Sequence, residues 1–191
     1  MKRILIIAVL ALLAHSAPVL GQSQFELGYA SSLDEAGYLR LGLGTARTSL
    51  SNDSSSEGGF TMEAAAGVTL SNRVRWDVMG IAYSKWDGSS PQGRYNGSRL
   101  DIASNIWLGN FTHANRFRPY VGGGIGAAQM VETSYDDWNF AWAVGGGFEY
   151  EINSAFAVGP RYVFRQTSVT SGGPDTNANT HEFTLSIVWS N

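Results

Sequence analysis

The sequence predicts an all-β fold: an eight-stranded antiparallel up-and-down transmembrane β-barrel behind an N-terminal signal peptide. Three observations predict it. Beyond a short apolar leader, no apolar run reaches the length of a membrane-spanning helix. The rest of the chain divides into eight segments in which apolar and polar residues alternate. The connections between those segments sort by parity into shorter turns and longer polar loops.

The leader comes first. Lys2 and Arg3 form a positive start, Ile4 to Leu13 an apolar run, and Ala14 to Leu20 a weaker continuation interrupted by His15 and Pro18. Val19 and Gly21 suit the small-residue positions of a cleavage site, so residues 1–21 read as a secretory signal peptide. Residues 22–36 are expected to form a periplasmic N-terminal segment. Phe25, Leu27 and Tyr29 alternate there, but a ninth strand would break the even count usual for such barrels. Residues 37–191 form the barrel domain.

The expected strands follow in order. The first spans residues 37–48, with Leu39, Leu41 and Leu43 on one face and Arg40, Gly42 and Gly44 on the other. The second spans 60–71, with Phe60, Met62, Ala64, Ala66, Val68 and Leu70 opposite Thr61, Glu63, Gly67 and Thr69. The third spans 74–86, and its alternation slips near Met79 and Gly80, the mark of a bulge. The fourth, 99–110, sets Leu100, Ile102, Ile106 and Leu108 against Arg99, Asp101 and Asn105.

The fifth, 118–133, is glycine-rich at residues 122–124. The sixth, 140–152, sets Phe140, Trp142, Val144, Phe148, Tyr150 and Ile152 against Ala141, Gly145, Gly147, Glu149 and Glu151. The seventh, 155–167, sets Phe156, Val158, Tyr162 and Phe164 against Arg161 and Arg165. The eighth, 181–189, sets Phe183, Leu185, Ile187 and Trp189 against Glu182, Thr184 and Ser186.

Residues 72–73, 112–117 and 153–154 make the shorter turns. Residues 50–59, 87–98, 134–139 and 168–180 make the loops, rich in Ser, Asn, Asp and Gly. This asymmetry predicts periplasmic turns, extracellular loops and both ends of the barrel in the periplasm. It also predicts two aromatic belts, Trp86, Phe140, Trp142 and Phe183 at the outer rim and Trp76, Phe111, Phe156 and Trp189 at the inner one. A soluble lipocalin-like barrel, the main alternative, would invert the pattern and expose the polar face.

Composition narrows the functional classes. Cysteine is absent, which excludes disulfides, thiolate nucleophiles and Cys-ligated metals. The formal charge is −3; loss of Lys2 and Arg3 with the leader leaves 11 Lys+Arg against 16 Asp+Glu, a charge of −5. A mildly acidic chain without basic clusters is a poor nucleic-acid binder, and no nucleic-acid partner is expected.

Residues 118–126 (Arg118-Pro-Tyr-Val-Gly-Gly-Gly-Ile-Gly126), residues 142–150 (Trp142-Ala-Val-Gly-Gly-Gly-Phe-Glu-Tyr150) and the closing pattern Phe183, Leu185, Ile187 and Trp189 carry a resemblance. Over residues 37–189 the chain resembles the small eight-stranded bacterial outer-membrane proteins, namely the OmpA-like transmembrane domain, the OmpX group and the opacity-type surface antigens. Ser190 and Asn191 after the last aromatic depart from the usual ending. The resemblance implies an outer-membrane location, contact with membrane lipids and lipopolysaccharide, and recognition of the final strand by the barrel-assembly machinery. It implies no single activity, since such barrels serve as adhesins, stabilisers and enzymes.

Few residues suggest chemistry. Gly122 to Gly126 continue into Ala127-Ala128-Gln129-Met130-Val131, more strand rather than the helix a nucleotide loop requires. Of three histidines, His15 is in the leader and His113 in a turn. His181 lies near the outer rim beside Glu182 and near Ser171, which does not match the pattern of lipid A deacylase barrels. Asp136 and Asp137 read as a solvated loop rather than a calcium site. No catalytic residue, metal site or cofactor is assigned.

The inward face is more informative. Arg40, Arg75, Arg99, Arg161 and Arg165 share it with Glu63, Asp77, Asp101, Glu149, Glu151 and Glu182. Buried charges require partners, and a near balance of signs predicts an internal ion-pair network filling the lumen. Arg161 is expected to pair with Glu149 and Glu182 on the flanking strands. Eight strands enclose room for side chains alone. The expected function is therefore non-enzymatic, with loops for surface contact or adhesion, or an envelope structural role. Trp86, Arg94, Tyr95, Tyr135, Asp136 and Trp138 are the candidate contact residues for an external ligand. A lipid A or phospholipid-modifying enzyme and a small-solute pore are the alternatives.

Overall fold

The computed structural model describes residues 37–51, 56–86, 97–112, 116–131, 137–169 and 176–190. The signal-peptide and N-terminal-segment expectations lie outside them. Eight strands are described: β1 (Gly37–Leu50), β2 (Ser56–Ser71), β3 (Val74–Trp86), β4 (Gly97–Gly109), β5 (Phe117–Val131), β6 (Trp138–Asn153), β7 (Phe156–Val169) and β8 (Thr176–Ser190). Each pairs antiparallel with its sequence neighbours, and β8 pairs with β1, so the sheet closes into a barrel. The seam brings Tyr38 opposite Ser190, Leu43 opposite Leu185 and Leu50 opposite Ala178. Closure satisfies the backbone groups that an open sheet edge would leave bare, which hydrocarbon does not tolerate.

The alternation decides which face is which. On β8, Phe183, Leu185, Ile187 and Trp189 point outward with 44–63% of their surface exposed, whereas Glu182, Thr184, Ser186 and Val188 point inward at 2% or less. The same sorting runs through Leu41 and Leu43 on β1, Ile106 and Leu108 on β4, and Val121 and Ile125 on β5. An apolar exterior around a polar interior is the polarity of a barrel in lipid, the inverse of a soluble one. Strands of 13 to 16 residues exceed the ~9–11 needed to cross the hydrocarbon core, so their ends project beyond it.

The expected bulge is present on β3. Ala66 and Gly67 face Met79 and Asp77, and on the other side Asp77 and Gly80 face Asn105 and Ala103. One residue in the Val78–Met79 pair is therefore supernumerary against both neighbours. Arg75 and Asp77 point inward before the bulge; Ala82, Ser84 and Trp86 point inward after it. Strand ends differ from expectation mainly at β8, which begins at Thr176 rather than at residue 181. Its first turns of alternation carry Asn177 and Asn179 outward, a polar exterior that reads as loop in the sequence.

Connections 72–73, 110–116 and 154–155 lie at one end of the barrel together with Gly37 and Ser190. Connections 51–55, 87–96, 132–137 and 170–175 lie at the other. These are called the turn end and the loop end.

Candidate functional site

The lumen is the site. Its side chains come from alternate positions of all eight strands, and they form three tiers between two aromatic caps.

In the tier nearest the turn end, Arg75 on β3 reaches across to Glu149 on β6, with Nη1 donating at 2.9 and 2.7 Å to the two carboxylate oxygens. Its Nε donates to Thr69 Oγ1 at 3.2 Å. Its guanidinium lies 4.3 Å from the Phe111 ring centroid and 5.1 Å from that of Tyr38. Beside this pair, buried Arg118 at the start of β5 meets Glu151 on β6.

The middle tier centres on Asp77 and Glu63. Asp77 accepts from Arg40 Nη2 at 2.6 Å, Trp107 Nε1 at 2.7 Å, Asn105 Nδ2 at 3.3 Å and the Tyr38 hydroxyl. Glu63 accepts from Arg161 Nη1 and from Thr184 Oγ1 at 3.3 Å, and lies 3.8 Å from Arg40 Nε. Between them the Trp107 ring is flanked by two guanidinium groups, Arg161 at 4.3 Å and Arg40 at 5.6 Å from its centroid. Cation–π contact of this kind gains strength where water is excluded.

The tier nearest the loop end holds Arg165, whose Nε donates to Glu182 Oε2 at 2.8 Å, and Ser84, which donates to Glu182 Oε1 at 2.8 Å. Arg99 makes a two-pronged contact with Asp101 at 2.8 and 2.6 Å and donates to Thr180 Oγ1 at 3.1 Å. Above it, Trp86, Met130 and Ala178 form an apolar cap. At the turn end Phe111, over Arg75, forms the other with Tyr120, which stands edge-on to Trp107 of the middle tier.

The eleven residues of the expected network all line this interior. The expected partners of Arg161 are not observed. It bonds Glu63 on β2, while Glu149 takes Arg75 and Glu182 takes Arg165. Local structure supplies the reason. Two strands, β8 and β1, separate β7 from β2, and β1 presents Gly42 at that height. A Cβ there would sit 2.7 Å from Glu63 Cγ, so the missing side chain lets Glu63 lean over β1 toward Thr184 and Arg161. A strand-neighbour rule misses a contact made across the lumen. Arg118 was not among the expected inward charges. Its inward parity with Tyr120 on β5 is the signal that finds it, and it brings the lumen to six arginines and six carboxylates.

Two expected belt aromatics face inward instead. Phe111 is buried in the turn-end cap. Trp86, also a candidate contact residue, is 4% exposed in the loop-end cap, because the bulge carries the far half of β3 onto the opposite parity. Trp138 is at the loop end of β6 and 48% exposed. Arg94, Tyr95, Tyr135 and Asp136 lie outside the described residues, as do His113 and Ser171. His181 points outward, and its Nδ1 is 2.7 Å from the Tyr162 hydroxyl; Glu182, the next residue, points into the lumen, so the two do not form a pair. Gly122 to Gly126 lie within β5, where Gly122 admits the Trp107 ring. Among the described residues no cluster of His, Asp or Glu is arranged to hold a metal.

Comparison with known proteins agrees with this architecture. Residues 7–190 match the family model described as outer membrane protein beta-barrel domain. No curated protein matches the sequence. Among solved structures, the fold is similar to that of Neisserial surface protein A, with a TM-score of 0.64 and 16% identity over 81% of this chain and 97% of that one. It is also similar to the outer membrane protein OprG from Pseudomonas aeruginosa, with a TM-score of 0.50 and 12% identity over 82% of this chain and 97% of that one.

Proposed function

Because the chain belongs to the family of outer membrane protein β-barrel domains, we propose that this integral outer-membrane protein is a non-enzymatic scaffold that presents its long connections for surface contact or adhesion. The reading rests on one observation. The lumen is filled along its length by interlocked ion pairs, each guanidinium held by carboxylates or aromatic rings, under an aromatic cap at either end. Such an interior stiffens the wall and offers no wide aqueous path. Function then belongs to the surfaces that remain, chiefly the loop end.

In this reading the loop end is extracellular and the turn end periplasmic. The loop-end connections are rich in Ser, Asn, Asp and Gly, and both described ends of the chain lie at the turn end. The outward row Phe183, Leu185, Ile187 and Trp189 on β8 is the part offered to the barrel-assembly machinery.

Three measurements test the proposal. Purified protein in planar bilayers is expected to give at most small, irregular conductance, and large stable ion-selective steps would replace the scaffold with a pore. Lipid extracts from cells with and without the protein are expected to be identical. A difference in lipid A acylation or phospholipid composition would make it an enzyme. An epitope inserted at Ser55 or Gly173 should be reachable on intact cells and one at Asn115 should not.

A further inference from the structure

The outward face of the barrel has a charge asymmetry of its own. Every strand carboxylate among the described residues lies on the lumen parity, including Glu57, which sits opposite inward Thr48. Among the described residues the basic side chains on the outward parity of the strands are Arg47 on β1, Lys85 on β3 and His181 on β8. All three lie in the half of the barrel nearer the loop end. Arg47 and His181 are directly opposed across the β1–β8 seam.

Their surroundings are ordered by depth. One step toward the membrane centre, Tyr162, Phe183, Thr45, Phe60 and Lys85 are successive cross-strand partners, a mainly aromatic shelf. Below it, Leu43 and Leu185 pair outward, then Leu41 and Ile187. One step toward the loop end, Gln166, Asn179, Ser49 and Ser56 form a polar row. Aromatic rings mark the boundary between hydrocarbon and headgroups, so Arg47 and His181 stand at headgroup depth.

Both side chains are held in place. Arg47 Nε donates to Ser56 Oγ at 2.7 Å, and among the described residues its Nη groups meet no carboxylate. Tyr162 engages His181 Nδ1, and Phe164 packs against the imidazole at 5.1 Å between centroids. Across from Arg47, β2 carries Gly58, and a Cβ there would meet nothing within 4 Å. This open space beside the guanidinium of Arg47 leaves room for an anionic group.

We infer that Arg47 and His181, over the Gly58 notch, form a docking site for a phosphate-bearing lipid of the surrounding leaflet, its acyl chains lying along the Leu43, Leu185, Leu41 and Ile187 face. Phosphate recognition by a guanidinium depends on its paired donors, and a lipid satisfies the charge and the apolar face below it together. A free phosphate satisfies only the first. The site is distinct from the loop contacts of the proposed function but rests on its orientation, with the loop end toward the leaflet that holds lipid A.

The test uses the full chain refolded in detergent and native mass spectrometry. Parent protein titrated with bisphosphorylated lipid A should retain one equivalent, and the dephosphorylated form should bind at least about tenfold more weakly, the scale of one lost charge-assisted hydrogen bond. Arg47→Ala with His181→Ala should lose the same factor. Arg73→Ala with Arg116→Ala, which removes the exposed turn-end cations, should bind like the parent. Thermal unfolding of both double variants should match the parent, since all four side chains lie outside the lumen. Equal binding of the dephosphorylated lipid, equal loss in both double variants, or displacement of lipid A by millimolar inorganic phosphate would each overturn the site.

Discussion

Asp77 accepts hydrogen bonds from four side chains at once, Tyr38 and Arg40 on β1 and Asn105 and Trp107 on β4. Its loss would strand Arg40 in a dry interior. Removing one partner of a buried pair costs about 3–5 kcal/mol, because the remaining charge keeps its desolvation without its counter-ion. Asp77→Ala should therefore lower stability by about that much in urea titrations of the lipid-folded protein. Exposed Arg73→Ala, by contrast, should move it by no more than about 0.5 kcal/mol. The cross-lumen pairing of Arg161 gives a sharper test. In a double-mutant cycle, Arg161→Met and Glu63→Gln should couple by about 0.5–3 kcal/mol, while Arg161→Met and Glu149→Gln should add nearly independently. The inward identity of these residues was legible from alternation alone. Their partners were not, since pairing depends on Gly42, whose significance is an absence of atoms between Glu63 and Arg161.

At the scale of the strand, face and depth govern what a substitution does. Leu185 pairs with Leu43 near the middle of the seam and Trp189 with Leu39 near its turn end. Arginine at Leu185 should cost about 2–4 kcal/mol of insertion free energy and arginine at Trp189 about 0–1, measured as folding into lipid vesicles. The bulge on β3 makes a second case. Deleting Val78 would remove the supernumerary residue and place Arg75, Asp77, Ala82, Ser84 and Trp86 on a single inward parity. The variant should therefore still reach the compact, heat-modifiable form seen on cold gels, and a failure to do so would mean that the bulge does more than absorb one residue. Strand number, order and most faces were readable because lipid enforces a strict period of two. The reading erred where that period breaks or ends. Trp86 lies past the bulge, Phe111 lies in a turn, and Asn177 and Asn179 stand above the hydrocarbon, where the exterior need not be apolar.

At the scale of the whole molecule, the ring joins residues far apart in sequence at one place. The seven other pairings are between consecutive strands; only the seam links the two ends, and only there do the Thr48 and Thr180 hydroxyls meet, 3.1 Å apart. Contacts of such long sequence separation are slow to form, since the loop they close is the whole domain. Packing inside a ring also has a logical order. Arg161 and Glu63 face each other across the seam strands, so their bond and the joining of β1 to β8 are one event. A cysteine pair placed by Thr48→Cys and Thr180→Cys in this cysteine-free chain should therefore become cross-linkable only in the last kinetic phase of folding, after strand content is complete. A chain still open at the seam has its arginines and carboxylates on show. To any protease or chaperone in its path, the closing of one strand pair is the moment at which an unfinished polypeptide becomes a finished one.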